Sequence, residues 1–290
     1  MIEGKWERLK GGYIMRCLFC KRNSDDTKSV EHIVPESLGN KSFILPLGYV
    51  CDKCNNYFAR EVEKPFLNLP EIRMLRFQEA IPNKKNKMPT VEGLFNGKFP
   101  VKMNRKISHD EVVDEIEITQ EVMDIILDGR DKGMRIIVPA FTNEIQLQSN
   151  LVISRFLAKM ALEAFADRVK NIENSLEELV DNQQFDAIRN HARLGTEKNW
   201  PCSIRRIYDY NKIWKYKDGE TGQMVHESDF LMIERKRTSE LVWADTYFVV
   251  ALWGMEFAIN MAGPEIDGYK NWLKEHNDIS PLYYGKNKLE

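Results

Sequence analysis

The sequence lacks the features of several large classes of protein. It has no apolar run near 18 residues, and no basic segment leads into an apolar one, so we expect neither a membrane span nor a secretory signal. It also has no internal repeat and no low-complexity tract. An apolar content of 43% with 10% aromatic residues is instead ample for a packed core. The length of 290 residues allows a small module and one or two larger domains.

An excess of positive charge is also missing. The formal net charge of −2 argues against a protein whose whole surface is positively charged for binding nucleic acid. Charge is nevertheless uneven, and one basic stretch encloses a single acidic residue, Glu92. Its members are Lys84, Lys85, Lys87, Lys98, Lys102, Arg105 and Lys106. Such a stretch is either a solvated loop or a surface for phosphate contacts, and the sequence leaves both alternatives open.

Cysteine is scarce but strongly patterned. Cys17 and Cys20 form one Cys-x-x-Cys pair, and Cys51 and Cys54 form a second. Two such knuckles separated by about 30 residues are a strong signal for zinc. Four thiolates make a closed tetrahedral Zn²⁺ site that can fold a small module, so we predict a structural zinc ion there. The fifth cysteine, Cys202, is expected to be a small buried apolar residue, and both features fit a reducing cytoplasm.

The residues around the knuckles predict a small module of strands and one helix. Residues 30–34 place β-branched side chains around a Glu-His dipeptide, which favours a short strand that ends at Pro35. Residues 55–64 contain neither Gly nor Pro, which favours a helix up to Pro65. Strand, loop, strand and helix around one zinc ion make a ββα-metal finger.

Residues 13–66 resemble the HNH endonuclease superfamily in its zinc-bearing form. The phage endonuclease VII type of junction resolvase also places an Asn directly after its last Cys, as Asn55 stands here. The resemblance implies that Glu31 and Asn55 are ligands of a catalytic Mg²⁺ or Mn²⁺ ion. It implies that His32 is the general base. Glu31 stands where the family has Asp or His, which lengthens the ligand arm by one methylene.

Two asparagine positions leave alternatives open. Asn40 is the only Asn between His32 and Cys51, so it is the candidate for the Asn that orients the His loop in the family. Asn55 could instead be a plain helix N-cap. Asn56 would replace it as the ligand if the helix had a different register.

These side-chain types suit phosphodiester hydrolysis. A hard cation held by oxygen ligands neutralises the scissile phosphate and stabilises the leaving 3′ oxygen. A carboxylate and an amide oxygen suit Mg²⁺ or Mn²⁺ better than Zn²⁺. The pKa of an unperturbed His is about 6.5, so His32 can be neutral and accept a proton from water. The structural zinc is then a separate ion without a chemical role.

The remainder of the chain, residues 67–290, reads as a larger mixed α+β domain. Helices are expected near residues 120–127, 150–170, 173–193 and 266–276. Strands are expected near residues 100–103, 115–118, 134–138, 203–208, 230–233 and 246–252, and residues 81–99 read as an exposed loop or ribbon. The predicted fold class is therefore α+β, with an N-terminal zinc-bearing HNH finger followed by a larger domain.

Two functions from different classes follow. The first is a divalent-metal-dependent HNH endonuclease that hydrolyses DNA, with RNA as an open alternative, in phage defence, restriction or a mobile element. The second is a noncatalytic zinc-finger adaptor that binds nucleic acid or protein. The trio Glu31, His32 and Asn55 favours the first, because an adaptor has no need of it. Residues 67–290 contain no P-loop and no GxSxG motif, so we expect them to recognise the target, form a homodimer, bind a partner protein or regulate the finger.

Overall fold

The computed structural model describes residues 15–108, 111–129, 133–140, 142–144, 147–215, 219–236 and 242–285. Residues 13 and 14 of the predicted finger, and residues 286–290 at the other end, lie outside the described residues. The described chain mixes helices and antiparallel strands, so the α+β class is confirmed. None of its helices is both long and apolar enough to cross a bilayer.

Eight α-helices are found in the described residues. They are α1 (Asp52–Phe58), α2 (Lys64–Leu67), α3 (Pro70–Gln78), α4 (Gln120–Leu127), α5 (Leu151–Val169), α6 (Ser175–Asp181), α7 (Asp186–Leu194) and α8 (Asp267–Glu275). A π-helical turn, Ala59–Glu63, joins α1 to α2. Short 3₁₀ turns lie at Glu36–Leu38 and Gln183–Phe185. The helices predicted from apolar periodicity near residues 120–127, 150–170, 173–193 and 266–276 are all present.

The strands form two four-stranded antiparallel sheets and one short hairpin. The first sheet has the order β3-β2-β1-β4 and contains β1 (Val91–Phe95), β2 (Phe99–Ser108), β3 (Glu111–Glu117) and β4 (Ile136–Ile137). The hairpin is β6 (Ile213–Lys215) with β7 (Thr221–Gln223). The second sheet has the order β5-β10-β9-β8 and contains β5 (Cys202–Arg206), β8 (His226–Lys236), β9 (Val242–Leu252) and β10 (Met255–Asn260). Strand β10, which follows β9 after a short turn, is not predicted from the sequence.

The strand predicted around the Glu-His dipeptide is shorter than expected. His32 pairs with Ile44 through an isolated antiparallel bridge. The Ile33 N–H donates to the Phe43 carbonyl at 3.1 Å, and the Leu45 N–H donates to the Glu31 carbonyl at 2.9 Å. Three residues on each side are thus held together, which is enough to fix the backbone of the dipeptide.

The helix that follows the second knuckle begins earlier and ends later than predicted. Its N-cap is Cys51, so Asn55 lies inside α1 and its interpretation as a plain N-cap is wrong. Helical structure also continues past Pro65, which occupies the first turn of α2. Proline lacks an N–H group and crowds the carbonyl four residues before it. The π turn directly before α2 widens the helix there, and this accommodates the ring.

One hydrophobic core connects the finger to the rest of the chain. The Phe66 ring stacks on the Phe156 ring of α5, with centroids 3.9 Å apart, and meets the Phe257 ring of β10 edge-on at 6.2 Å. The Trp253 indole N–H donates to the Leu38 carbonyl at 3.0 Å. The division into residues 13–66 and 67–290 stays a prediction, and its boundary lies inside α2, where packing continues on both sides.

Two smaller hydrophobic clusters lie apart from this core. One joins β1 and β2 of the first sheet to α4 and contains Phe95, Val101 and Val122. The other contains Tyr247 of β9 together with Tyr269 and Leu273 of α8. Neither of these two clusters includes a knuckle cysteine; the buried Cys17 and Cys54 belong to the main core.

Candidate active site

The four knuckle cysteines converge at one point. Their Sγ atoms all lie within 4.8 Å of one another, and the Sγ atoms of Cys20 and Cys51 are 3.6 Å apart. A tetrahedral zinc site has Zn–S bonds of about 2.3 Å, which requires sulfurs at this kind of spacing. A metal site needs at least three His, Cys, Asp or Glu ligand atoms close together, and among the described residues these four cysteines meet that condition. The cluster fits a structural zinc, as the two Cys-x-x-Cys pairs predicted.

Local hydrogen bonds connect the two knuckles and change the pKa values of their thiols. The Cys51 N–H donates to Cys17 Sγ at 3.3 Å. The pKa of Cys17 is lowered to about 5, first by its hydrogen bond with the Cys54 thiol and further by backbone N–H groups. Asp52, which lies between Cys51 and Cys54, connects the second knuckle to the segment before Glu31, because its Oδ1 accepts the Ser29 N–H at 2.9 Å. Burial raises the pKa of Cys51 to about 11, and the hydrogen bond with Cys17 raises the pKa of Cys54. The lowered pKa therefore belongs to Cys17, and zinc binding would have to deprotonate its partners.

The structure places Asn55 beside the Glu-His strand. Its Nδ2 donates to the Val30 carbonyl at 3.1 Å, directly before Glu31 and His32 in the chain. Asn56, the alternative ligand, is exposed. Helix α1 therefore carries both a zinc ligand, Cys54, and the amide that contacts this strand.

Asn40 holds the loop that follows His32. Its Nδ2 donates to the carbonyls of Val34 at 2.6 Å and Phe43 at 3.0 Å. Its Oδ1 accepts the N–H groups of Ser42 at 3.1 Å and Phe43 at 2.9 Å. The side chain is 1% exposed and ties together the two ends of the loop. These four hydrogen bonds fix the backbone of the loop between Val34 and Phe43.

One residue of the site, Lys159 on α5, is not predicted from the sequence. Its Nζ lies 2.6 Å from Glu31 Oε1, 3.0 Å from Glu63 Oε1 and 2.9 Å from Glu163 Oε2. Apolar periodicity places Lys159 and Glu163 on the outer faces of an amphipathic helix, but α5 is buried on nearly all sides. The available signal is their i,i+4 spacing, which marks a Lys–Glu pair without saying that it is buried.

Burial and charge act together on these groups. Burial raises the pKa of Glu31, and the Lys159 ammonium opposes that shift. Burial would lower the pKa of Lys159, but the three carboxylates outweigh it and raise the pKa well above its usual value. Burial lowers the pKa of His32, and the positive charges of Lys84 and Lys159 add to the effect. His32 Nδ1 is buried and has no hydrogen-bond partner among the described residues.

The basic stretch divides into two parts. Arg105 and Lys106 on β2 pair with Asp114 and Glu115 on β3, so this end is committed to contacts within the sheet. Lys84 lies in the loop after α3 and its charge acts on both Glu31 and His32. Lys84 is therefore within electrostatic range of the Glu-His pair, which the sequence alone did not establish.

Comparison with known proteins shows what the finger is similar to. Residues 17–70 match the family model described as HNH endonuclease. No match was found among curated proteins or among solved structures. The matched segment contains all four cysteines, the Glu-His dipeptide, Asn40 and Asn55, and it indicates a nuclease-type function with a nucleic acid as substrate. The chain therefore carries an N-terminal HNH-type domain with a four-cysteine cluster, followed by a larger α+β region.

Proposed function

We propose that this protein is a divalent-metal-dependent endonuclease that hydrolyses phosphodiester bonds in DNA. The observation that carries the proposal is the contact of Asn55 with the Val30 carbonyl, which brings the amide to the strand of Glu31 and His32. A zinc finger that only binds a partner needs no carboxylate, imidazole and amide on two chain segments that contact each other. Metal-assisted hydrolysis of a phosphodiester uses all three.

Glu31 and Asn55 are the residues that we assign to a catalytic cation. Carboxylate and amide oxygens are the hard donors that Mg²⁺ and Mn²⁺ prefer. Asn55 Nδ2 donates a hydrogen bond to the Val30 carbonyl, so Oδ1 is the side-chain atom that can coordinate a metal ion. The chemistry that bound Mg²⁺ or Mn²⁺ supplies at such a site is neutralisation of the scissile phosphate and of the leaving 3′ oxygen.

His32 is the residue that we assign as general base. A neutral imidazole accepts the proton of the attacking water, and Nδ1 has no hydrogen-bond partner among the described residues that would prevent this. Asn40 contributes by holding the loop from Val34 to Phe43, which fixes the backbone next to His32. The expected products carry 5′-phosphate and 3′-hydroxyl ends.

The loop that contains Lys84, Lys85 and Lys87 is the surface that we assign to the DNA backbone. Lys84 lies close enough to influence Glu31 and His32, and all three lysines are exposed. Cations next to a nuclease site attract the phosphate backbone without reading its sequence.

RNA is the alternative substrate, and phage defence, restriction and mobile elements are the biological settings in which such an enzyme would act.

Cleavage of supercoiled plasmid tests the proposal. The wild type should nick or linearise the plasmid with Mg²⁺ or Mn²⁺ and should be inactive with EDTA. His32→Ala should reduce the rate by roughly 10²- to 10⁴-fold, the range expected for a general base. His276→Ala is the matched control, because His276 stacks on Trp272 at the end of α8. Zinc content should be the same in all three proteins, and each should unfold in one cooperative transition.

The result that rejects the proposal is an intact plasmid with every divalent cation although the zinc-loaded protein binds DNA. That outcome would favour the noncatalytic adaptor. Equal rates for the wild type and His32→Ala, in preparations free of contaminating nuclease, would reject His32 as the base.

A further inference from the structure

Helix α5 inserts a lysine into the interior of the site. The Lys159 side chain is 0% exposed, and its Nζ lies 2.6 Å from Glu31 Oε1. The same nitrogen donates to the His32 carbonyl at 3.4 Å and lies 3.0 Å from Glu63 Oε1 in the π turn. Its fourth contact is Glu163 Oε2, one turn along α5, at 2.9 Å. A single ammonium group thus contacts both members of the Glu-His pair.

Stability alone explains this cluster poorly. Charges taken out of water lose their hydration, and well-packed apolar side chains of similar volume often stabilise a protein as well or better. Such a replacement would have to include Lys159 and its three carboxylate partners together, because an apolar side chain at Lys159 alone would leave Glu31, Glu63 and Glu163 without their cation. What an ammonium supplies and an apolar group does not is a fixed direction for each carboxylate that it binds.

We infer that Lys159 is a positioning residue of the nuclease site. The inference rests on the proposed function. By holding Glu31 through Oε1, Lys159 leaves Oε2 as the carboxylate oxygen for a cation. By its contact with the His32 carbonyl, it also fixes the backbone that carries the base. The region after the finger therefore completes the active site, in addition to any role in target recognition.

Two variants test the inference with readouts other than catalysis. Lys159→Met removes the ammonium and keeps most of the side-chain volume. Glu163→Gln weakens one contact of Lys159 without changing Glu31 or His32 themselves, and Gln is a good helix former. Lys170→Met is the matched control, because Lys170 forms an exposed ion pair with Asp167 at the end of the same helix, with Nζ and Oδ1 2.7 Å apart.

The measurements are zinc content, Mn²⁺ affinity without DNA by electron paramagnetic resonance, DNA affinity, and the single-turnover rate at saturating DNA. Partners that orient a metal ligand typically change metal affinity or activity by about 10- to 100-fold when they are removed. We expect a fall of that size in Mn²⁺ affinity and in rate for Lys159→Met, and a smaller fall for Glu163→Gln. Zinc content and DNA affinity should not change, and Lys170→Met should match the wild type.

The sign of the change in Mn²⁺ affinity is decisive. Tighter Mn²⁺ binding by Lys159→Met would mean that the ammonium competes with the cation, and it would overturn the inference. Unchanged affinity and rate in folded, zinc-loaded variants would also overturn it. If Lys159→Met does not fold, Glu163→Gln decides in the same way.

The two proposals fail separately. If the wild type cuts no DNA but its Mn²⁺ affinity depends on Lys159, the positioning role stands and the endonuclease proposal falls. If the wild type cuts DNA and both variants cut at its rate with its Mn²⁺ affinity, the endonuclease proposal stands and the positioning role falls.

Discussion

Truncation of Phe66 should destabilise the finger and the larger region together. The Phe66 ring is 0% exposed and lies between Phe156 of α5 and Phe257 of β10. A Phe→Ala change in a core costs about 3–5 kcal/mol, from reduced burial and from the cavity that remains. We expect Phe66→Ala to lie at the upper end of this range, because the ring also packs against two other aromatic rings.

The assay is urea unfolding followed by two probes. Release of zinc to a colorimetric chelator reports on the finger, and far-UV circular dichroism reports mainly on the helices and sheets of the larger region. If one core joins both parts, the two transitions should coincide and should shift together in Phe66→Ala. The shift in midpoint follows from the decrease in the free energy of unfolding divided by the urea dependence of unfolding, the m-value.

Phe95→Ala is the matched control. The Phe95 side chain is 2% exposed and packs in the separate cluster between the first sheet and α4. Its truncation should leave a cavity of similar origin without disturbing the packing of α2 on α5. The reasoning would be refuted if Phe66→Ala shifted the circular dichroism transition and left zinc release unchanged, since the finger would then unfold as an independent unit.

Two further predictions concern the metal and the nucleic acid. Cys54→Ser should reduce zinc from one ion per chain to a small fraction by elemental analysis and should lower the melting temperature, whereas Cys202→Ser, which alters a buried thiol outside the cluster, should keep its zinc. Neutralising Lys84, Lys85 and Lys87 together should reduce the slope of log affinity against log salt by about 0.9 for each phosphate that the loop no longer neutralises. Neutralising the exposed Lys198, Lys270 and Lys274 should leave that slope unchanged, and an unchanged slope in the first variant would make the loop only a solvated surface.

The parts of the site that the sequence predicted are those encoded over short distances. A Cys-x-x-Cys knuckle determines where two thiols lie in a tight turn, and one metal then requires both knuckles to meet. Asn40 is similar, because its hydrogen bonds reach only residues within six positions of it. Such contacts are formed by a local turn, so they follow from the spacing of the residues without knowledge of the rest of the fold.

The features of the finger that differ from prediction have another origin. Pro65 predicts the end of a helix because proline disrupts the regular α-helical hydrogen bonds. The helix continues because the π turn Ala59–Glu63 lies directly before the pyrrolidine ring of Pro65. Burial of Val62 and the ion pair between Glu63 and Lys159 stabilise that turn. Packing against α5 therefore overrides the local preference, and local preference is all that the sequence offers at this point.

Lys159 could not be found by the same reasoning because its partners are remote in sequence. It lies 127 positions from His32, and the two meet only because α5 packs across the finger. A lysine inside an apolar helix is ordinarily read as a residue that reaches solvent. The enclosed position of Lys159 follows from three carboxylates, of which Glu31 and Glu63 belong to the finger and Glu163 to α5 itself.

These ion pairs connect the larger region to the finger, because Lys159 of α5 contacts Glu31 and Glu63 of the finger. Without α5, Glu31 and Glu63 would lack the ammonium that lies 2.6 Å and 3.0 Å from them, and two like charges at short range repel each other. With α5 in place, the Lys159 ammonium lies between them and contacts Glu163 of the same helix as a third carboxylate. A zinc ion can fold the knuckles alone, but it cannot supply this charge, because four sulfurs close its coordination sphere. The cysteine cluster is thus contained within the finger, whereas the Glu-His pair contacts a helix that begins only at Leu151.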